Sequence, residues 1–204
     1  MTELDRVLAR PEVLHLAELL VRRPGARVEY PADAAARRAA VALILRLGAG
    51  GALELLMIKR AVYAGDPWSG HVALPGGRHE PGDVSLAETA IRETREETAV
   101  DLATRGRLLG TLDDLEPRTP VLPPIVITPF VAVVEPDVHI VTSPEVARAF
   151  WVPVAALRNP DASREVELMV RGTPRRVMSF GYGEHTIWGL TERILRQFLT
   201  LTGG

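Results

Sequence analysis

The run from Gly76 to Val100, GGRHEPGDVSLAETAIRETREETAV, sets an expected glycine turn, a helix start and a cluster of carboxylates side by side, and the rest of the chain has to accommodate that helix. Ser85 followed by Glu88 is a capping box, in which the serine oxygen accepts a first-turn amide and the glutamate reaches back to the cap. The helix is therefore expected to begin near Ser85. Good helix formers follow, with no Gly or Pro before the chain changes character at Ala99 and Val100. Glu93, Glu96 and Glu97 fall at i, i+3 and i+4, so three like charges share one face about a turn apart. They are either a solvated face relieved by Arg92 and Arg95 or hard oxygen ligands for Mg2+ or Mn2+. The second reading gains from Gly76-Gly77, which lets the backbone approach a ligand closely just ahead of the helix.

Composition narrows the partners. With 204 residues, 47% of them hydrophobic, the chain can bury a full core as one domain of moderate size. Residues 1–30 are expected to form an N-terminal helical appendage and residues 31–204 the main domain. The net charge of −2 and the lack of a long Lys/Arg block argue against nucleic acid as the main partner, while scattered arginines suit a small phosphorylated molecule. The absence of cysteine removes disulfides, thiolate metal sites and a cysteine nucleophile. No basic leader and no apolar segment near 18 residues is present, so a cytoplasmic protein without membrane contact is expected. A homodimer is allowed.

Along the chain, residues 2–23 carry leucines and valines at helical spacing, broken at Pro11, and read as two short helices that pack as an appendage. Arg22, Arg23 and Arg27 read as an exposed basic turn rather than a phosphate contact. AAVALILRL (39–47) and ALELLMIKRA (52–61) read as a hairpin at the heart of a mixed sheet, with Arg60 at the end of its second strand. A loop rich in glycine and proline and a short strand, 72–74, deliver the chain to the glycine pair. Trp68 in that loop either anchors it on the core or stacks a base and closes a pocket. RLLGTLDDL (107–115) reads as a strand entering an acidic turn, and EPRTPVLPP as a loop overhanging the cleft. IVITPFVAVV (125–134) is expected to be a strand buried on both faces beside the helix, with Pro129 implying a bulge or an edge position. Ser143-Pro144-Glu145 is expected to open a short helix over VARAF. EVELMV and RRVMSFGY read as a second hairpin around RGTP, and 185–201 as a closing amphipathic helix in which Trp188 and Ile194 are core.

The string from Gly77 through Arg92-Glu93-Thr94-Arg95-Glu96-Glu97-Thr98-Ala99 resembles the Nudix box, GX5EX7REUXEEXGU, where U is a bulky aliphatic residue. REXXEE is intact. Thr94 stands where the aliphatic residue is usual, Ala99 where glycine is usual, and the glycine-to-arginine interval is one residue longer. The loop acid of the pattern is then Asp83, with Glu80 second. Upstream, LLMIKRA…WSGHVALPGG is similar to the LLTxRS…HxGQVAFPGG of Nudix enzymes acting on coenzyme A, with Trp68, His71 and Leu74 departing from it. The IWGLTxRIL string near the C-terminus is similar to the same group.

The resemblance implies an α/β fold of the Nudix type, an α/β/α sandwich with a mixed sheet between helices. It also implies a metal-dependent hydrolase of a diphosphate linkage in a nucleoside diphosphate derivative. Mg2+ or Mn2+ would be held by Glu93, Glu96, Glu97 and the carbonyl of Gly76. Arg92 would orient Glu93, and the general base is Glu93 or Glu145, the latter similar to a loop acid many members add; its alternative is simple first-turn charge. Arg60, Trp68, Gly77 and Asp83 are the candidate substrate-binding residues. The leading substrate is coenzyme A or an acyl derivative. The alternatives are ADP-ribose, a nucleotide sugar, a dinucleoside polyphosphate or a nucleoside triphosphate, and, from another class, a non-catalytic nucleotide-sensing module. Intact Glu93, Glu96 and Glu97 argue against the last, because clustered carboxylates are costly to keep.

Overall fold

The computed structural model describes residues 2–29, 37–64, 68–117, 124–170 and 172–203. Two helices, α1 (Glu3–Leu8) and α2 (Pro11–Arg22), precede a hairpin of β1 (Arg37–Leu47) and β2 (Leu53–Arg60). Short strands β3 (Val72–Ala73) and β4 (Gly76–Arg78) lead into α3 (Leu86–Thr98), followed by α4 (Leu102–Arg105), β5 (Gly106–Thr111) and β6 (Ile125–Val134). Then come β7 (Val146–Pro153), α5 (Val154–Arg158), β8 (Ser163–Val170), β9 (Thr173–Tyr182), β10 (His185–Trp188) and α6 (Leu190–Leu201).

The main sheet is mixed. Its path is β3-β2-β1-β6-β5, with β4 paired to β1 and β7 paired to β2; β1 and β6 run parallel. Alternation along β1 assigns its two faces: Leu43 and Leu45 join one apolar cluster with α2, β9 and α6, while Ala40, Ala42 and Ile44 join another with α3 and α4. The helix-facing residues are small. Ala40, Ala42, Ala90 and Ala132 let α3 lie close to the sheet, which brings its carboxylates up against β4. On the opposite face a three-stranded sheet, β10-β9-β8, completes the layer.

Helices α1 and α2 bury Val7, Val13, Leu16 and Leu20 in the same cluster as Leu43 and Phe198. Pro11 opens α2 at its first turn, where a missing N–H costs nothing. The following segment is clasped to the acidic turn after β5. Ala26 accepts from the Asp114 amide at 2.8 Å, Arg27 pairs with Asp114 at 2.9 Å and Arg23 with Asp113 at 2.9 Å. Arg22, Arg23 and Arg27 are exposed as expected, and two of them, Arg23 and Arg27, are also ion-paired to this acidic turn.

Four expectations are corrected. Val146–Phe150 is not a helix but the start of β7, because these residues pair with Met57 through Arg60 of β2. His185–Trp188 is a strand bonded to β9, and the helix begins only after Gly189, whose φ of 71° breaks the chain there. Gly76-Gly77 is a strand paired with Ala40 and Val41 rather than a turn. Pro129 sits in the central strand β6 opposite Val41, at neither an edge nor a bulge; the register shift lies in the neighbouring β5, between Leu108 and Gly110. The loop expected to overhang the cleft falls mainly on residues 118–123, outside the described residues.

Candidate active site

Ser85 caps α3, its Oγ accepting from the Glu88 amide at 3.2 Å. Glu88 reaches back one residue further than a capping box requires, accepting from the Val84 amide at 2.6 Å. The helix packs Ala90, Thr94 and Thr98 toward the sheet. That stripe turns Glu97 inward, leaves Glu93 partly covered and puts Glu96 in solvent.

Both glycines are closely approached, and at Gly76 the backbone conformation requires glycine as well. A β-carbon on Gly77 would come within 2.4 Å of the carboxyl carbon of Glu93. Gly76 has φ of 150°, and a β-carbon there would meet the Ala40 carbonyl oxygen at 2.3 Å. Its amide donates to Glu97 Oε2 at 2.9 Å, and the Arg60 guanidinium stands 3.7 Å from Glu97 Oε1.

Arg92 ties the site together. Its guanidinium donates to Asp83 twice, to Glu93 Oε1 at 3.0 Å, to Glu96 Oε2 at 3.1 Å and to the Arg78 carbonyl at 3.0 Å. The Asp83 carboxylate also accepts from the Glu80 amide at 3.0 Å and the Thr89 hydroxyl at 2.8 Å, which fixes the loop ahead of the helix. Arg92 holds the Asp83 carboxyl far below the usual range, and the paired carboxylates raise Arg92 in turn. Burial works the other way on the glutamates. It pushes Glu97 up to about 7 against the Gly76 amide and Arg60, and it raises Glu93 against the pull of Arg92.

These groups line a cleft of about 860 Å3. Five carboxylates, Glu80, Glu93, Glu96, Glu97 and Glu145, face three guanidiniums, Arg60, Arg78 and Arg92, so the walls carry surplus negative charge. Of the residues singled out in the sequence, Arg60, Gly76, Gly77, Arg92, the three box glutamates and Glu145 meet here. Asp83 reaches the cleft through Arg92, and Trp68 lies in the turn that donates the His71 amide to its carbonyl at 3.1 Å, away from the lining. Tyr63, Arg78, Ser143 and Pro144 also line the cleft and were not singled out. Position offered the one hint to Tyr63, since it falls between Arg60 and Trp68.

The donor chemistry suits a hard divalent cation: all the acidic groups offer oxygen, and a cation would offset the charge surplus and the burial of Glu97. Among the described residues no three such groups already converge at ligand spacing, because Glu93 and Glu96 lean on Arg92 while Glu97 is held by Gly76.

A model of the NUDIX domain matches residues 36–171. The NudL protein of Photorhabdus laumondii, described as an uncharacterized Nudix hydrolase, is 34% identical over 130 residues, 63% of this chain and 67% of its own. NudL of Enterobacter sp. strain 638 is 31% identical over 150 residues, 73% of this chain and 75% of its own. A MutT/nudix family protein from Enterococcus faecalis shares the fold, with a TM-score of 0.56 and 18% identity over 86% of this chain and 71% of that one.

Proposed function

The chain belongs to the Nudix hydrolases, and from that premise we propose that it is a Mg2+- or Mn2+-dependent hydrolase of a diphosphate linkage in a nucleoside diphosphate derivative, with coenzyme A or acyl-coenzyme A as substrate. The observation that carries the reading is the carboxylate-rich cleft in which Glu97 is buried under the Gly76 amide. A diphosphate is itself anionic, so a cleft with surplus negative charge accepts one only together with cations. The metal would be held by Glu93, Glu96, Glu97 and the carbonyl of Gly76. When bound, it supplies charge neutralisation and a more acidic water.

The chain's own groups do the remaining work. The Gly76 amide and Arg60 fix Glu97 from two sides, and Arg92 fixes Glu93 and Glu96 together. Asp83 acts through Arg92, keeping the guanidinium in the plane that serves both glutamates. Arg60 also faces the cleft, where it can meet a substrate phosphate, and the absence of a side chain on Gly77 makes room for the Glu93 carboxyl. Glu145, across the cleft from α3, or Glu93 accepts the proton of the attacking water. Residues 31–204 would form the catalytic domain, with residues 1–30 as an appendage packed on its core.

The choice of coenzyme A rests on the likeness of LLMIKRA…WSGHVALPGG and IWGLTxRIL to enzymes acting on that molecule. The products would be phosphopantetheine and adenosine 3′,5′-bisphosphate. Among the described residues no helix is long and apolar enough to cross a membrane, consistent with work on a dissolved nucleotide in the cytoplasm. A mass-spectrometric screen of coenzyme A, acetyl-coenzyme A, ADP-ribose, NADH, diadenosine polyphosphates and dNTPs with each metal tests the reading. Cleavage of coenzyme A at the diphosphate is expected. Preference for another diphosphate would overturn the substrate, and no cleavage of any would overturn the reaction.

A further inference from the structure

The rim of the cleft opposite α3 is built from two segments that hold each other. Leaving β2, the Ala61 amide donates to the Glu145 carbonyl at 2.8 Å, and the Tyr63 hydroxyl donates to the Pro144 carbonyl at 3.0 Å. On the other side, the Ser143 amide donates to the Glu97 carbonyl at 3.1 Å and the Val141 amide to the Thr98 carbonyl at 3.0 Å. Residues 143–145 thus span from the last turn of α3 to the segment beyond Arg60, and Arg60 closes the circuit through the Glu97 carboxylate. Tyr63 is itself braced, its amide donating to Ser69 Oγ at 2.8 Å.

Tyr63 is about half exposed, at 49%, yet its hydroxyl is turned to the protein rather than left to solvent alone. Here the hydroxyl reaches the residue before Glu145. We propose that Tyr63 is a positioning residue, whose hydroxyl holds the Ser143–Glu145 segment at a fixed height over the carboxylates of α3. The inference rests on the reading of Glu145 as an acid of the reaction, since that is the group whose placement would matter to turnover. The sequence marks Tyr63 only by its place between Arg60 and Trp68. The geometry points to it because Pro144 has no N–H of its own to tether the segment, so its carbonyl is a natural handle.

Tyr63→Phe removes the hydroxyl and keeps the ring, and the full chain is assayed in two ways. Hydrogen exchange of the amides in 141–147 should speed up in the variant, while the amides of β1 and β6 stay as protected as before. With the diphosphate found by the screen, kcat should fall roughly five- to thirty-fold with KM and Mn2+ affinity within twofold, the pattern of a displaced group rather than lost binding. In a Glu145→Gln background the same change should cost nothing further. Unchanged exchange in 141–147 overturns the proposal whatever the activity, and so does a kcat loss that persists in full beside Glu145→Gln. Normal kcat in Glu145→Gln alone would instead return the role of base to Glu93, with the exchange result still deciding whether Tyr63 holds the segment.

Discussion

Arg92 and Asp83 meet in a two-point ion pair, Nε to Oδ1 at 2.8 Å and Nη2 to Oδ2 at 3.0 Å, with the aspartate side chain 3% exposed. The same guanidinium then serves Glu93 and Glu96, so the loop before α3 and the acidic face of α3 are set by one side chain. Asp83→Ala should therefore cost more than a surface pair does. Removing one partner of a fully buried pair typically costs about 3–5 kcal/mol, but Arg92 is partly exposed and keeps Glu93 and Glu96, so the loss should be smaller, on the order of 1–3 kcal/mol. Urea titration measures it. A loss no larger than a surface ion pair would show that Arg92 stands without Asp83.

Metal-free stability should depend on pH in two opposed ways. Glu97 has its folded pKa raised to about 7 from 4.5, so between those values the folded chain holds a proton the unfolded chain has released. Its contribution is then lost as pH rises through that window, on the order of 2–4 kcal/mol in all. Asp83 is depressed below 3.8, so its contribution is present above that value and fades as pH falls below it. In EDTA the urea midpoint should be higher at pH 5 than at pH 8, and Mn2+ at pH 8 should recover much of the difference. An equal pH slope in Glu97→Gln would remove Glu97 as the cause.

Thr94 is fully buried, and its hydroxyl is among the buried polar atoms without a hydrogen-bond partner. Thr94→Val has nearly the same shape and deletes that hydroxyl, so it should stabilise the chain by roughly 1 kcal/mol with activity kept. Lower stability in the valine variant would mean the hydroxyl is satisfied in solution.

Ala99 caps α3 with φ of 58°, the single non-glycine residue at positive φ among the described residues. The left-handed conformation costs an alanine about 1–2 kcal/mol relative to its preferred state and a glycine little. Ala99→Gly should raise Tm by roughly 2–4 °C. An unchanged or lower Tm would place the strain elsewhere.

The sequence carried α3 well because a cap at Ser85, a run of helix formers and an i, i+3, i+4 set of glutamates are all local signals. The β1–β2 hairpin was equally plain from its apolar runs. What it hid was non-local. Val146–Phe150 contains alanines and an arginine that suit a helix, and only pairing with Met57 through Arg60 makes it a strand. The boundary between β10 and α6 was present as Gly189, but the apolar residues on either side kept one continuous helical pattern. At the site, the acidic residues could be named from the box, yet the burial of Glu97 could not, since it follows from small residues on β1 drawing α3 down. The grip of Arg92 on Asp83, Glu93 and Glu96 together depends on a loop path that no periodicity records.

Glu97 brings these threads to one variant. Glutamine keeps the side-chain size and an oxygen that can still accept the Gly76 amide, now 2.9 Å from Glu97 Oε2, but it removes the charge that burial disfavours. Metal-free stability at pH 8 should therefore hold or rise, since the buried carboxylate is what the fold tolerates least there. Activity should move the opposite way. If Glu97 holds the cation, its neutral isostere weakens metal binding and leaves the departing phosphate less stabilised, and kcat/KM should fall at least about a hundredfold. Mn2+ titration, melting in EDTA and hydrolysis are measured on the same preparation. A fall in stability that parallels the fall in activity would assign Glu97 a structural part, and near-normal hydrolysis would remove it from the metal site, whereas a stable and inactive variant separates its catalytic role from its place in the fold.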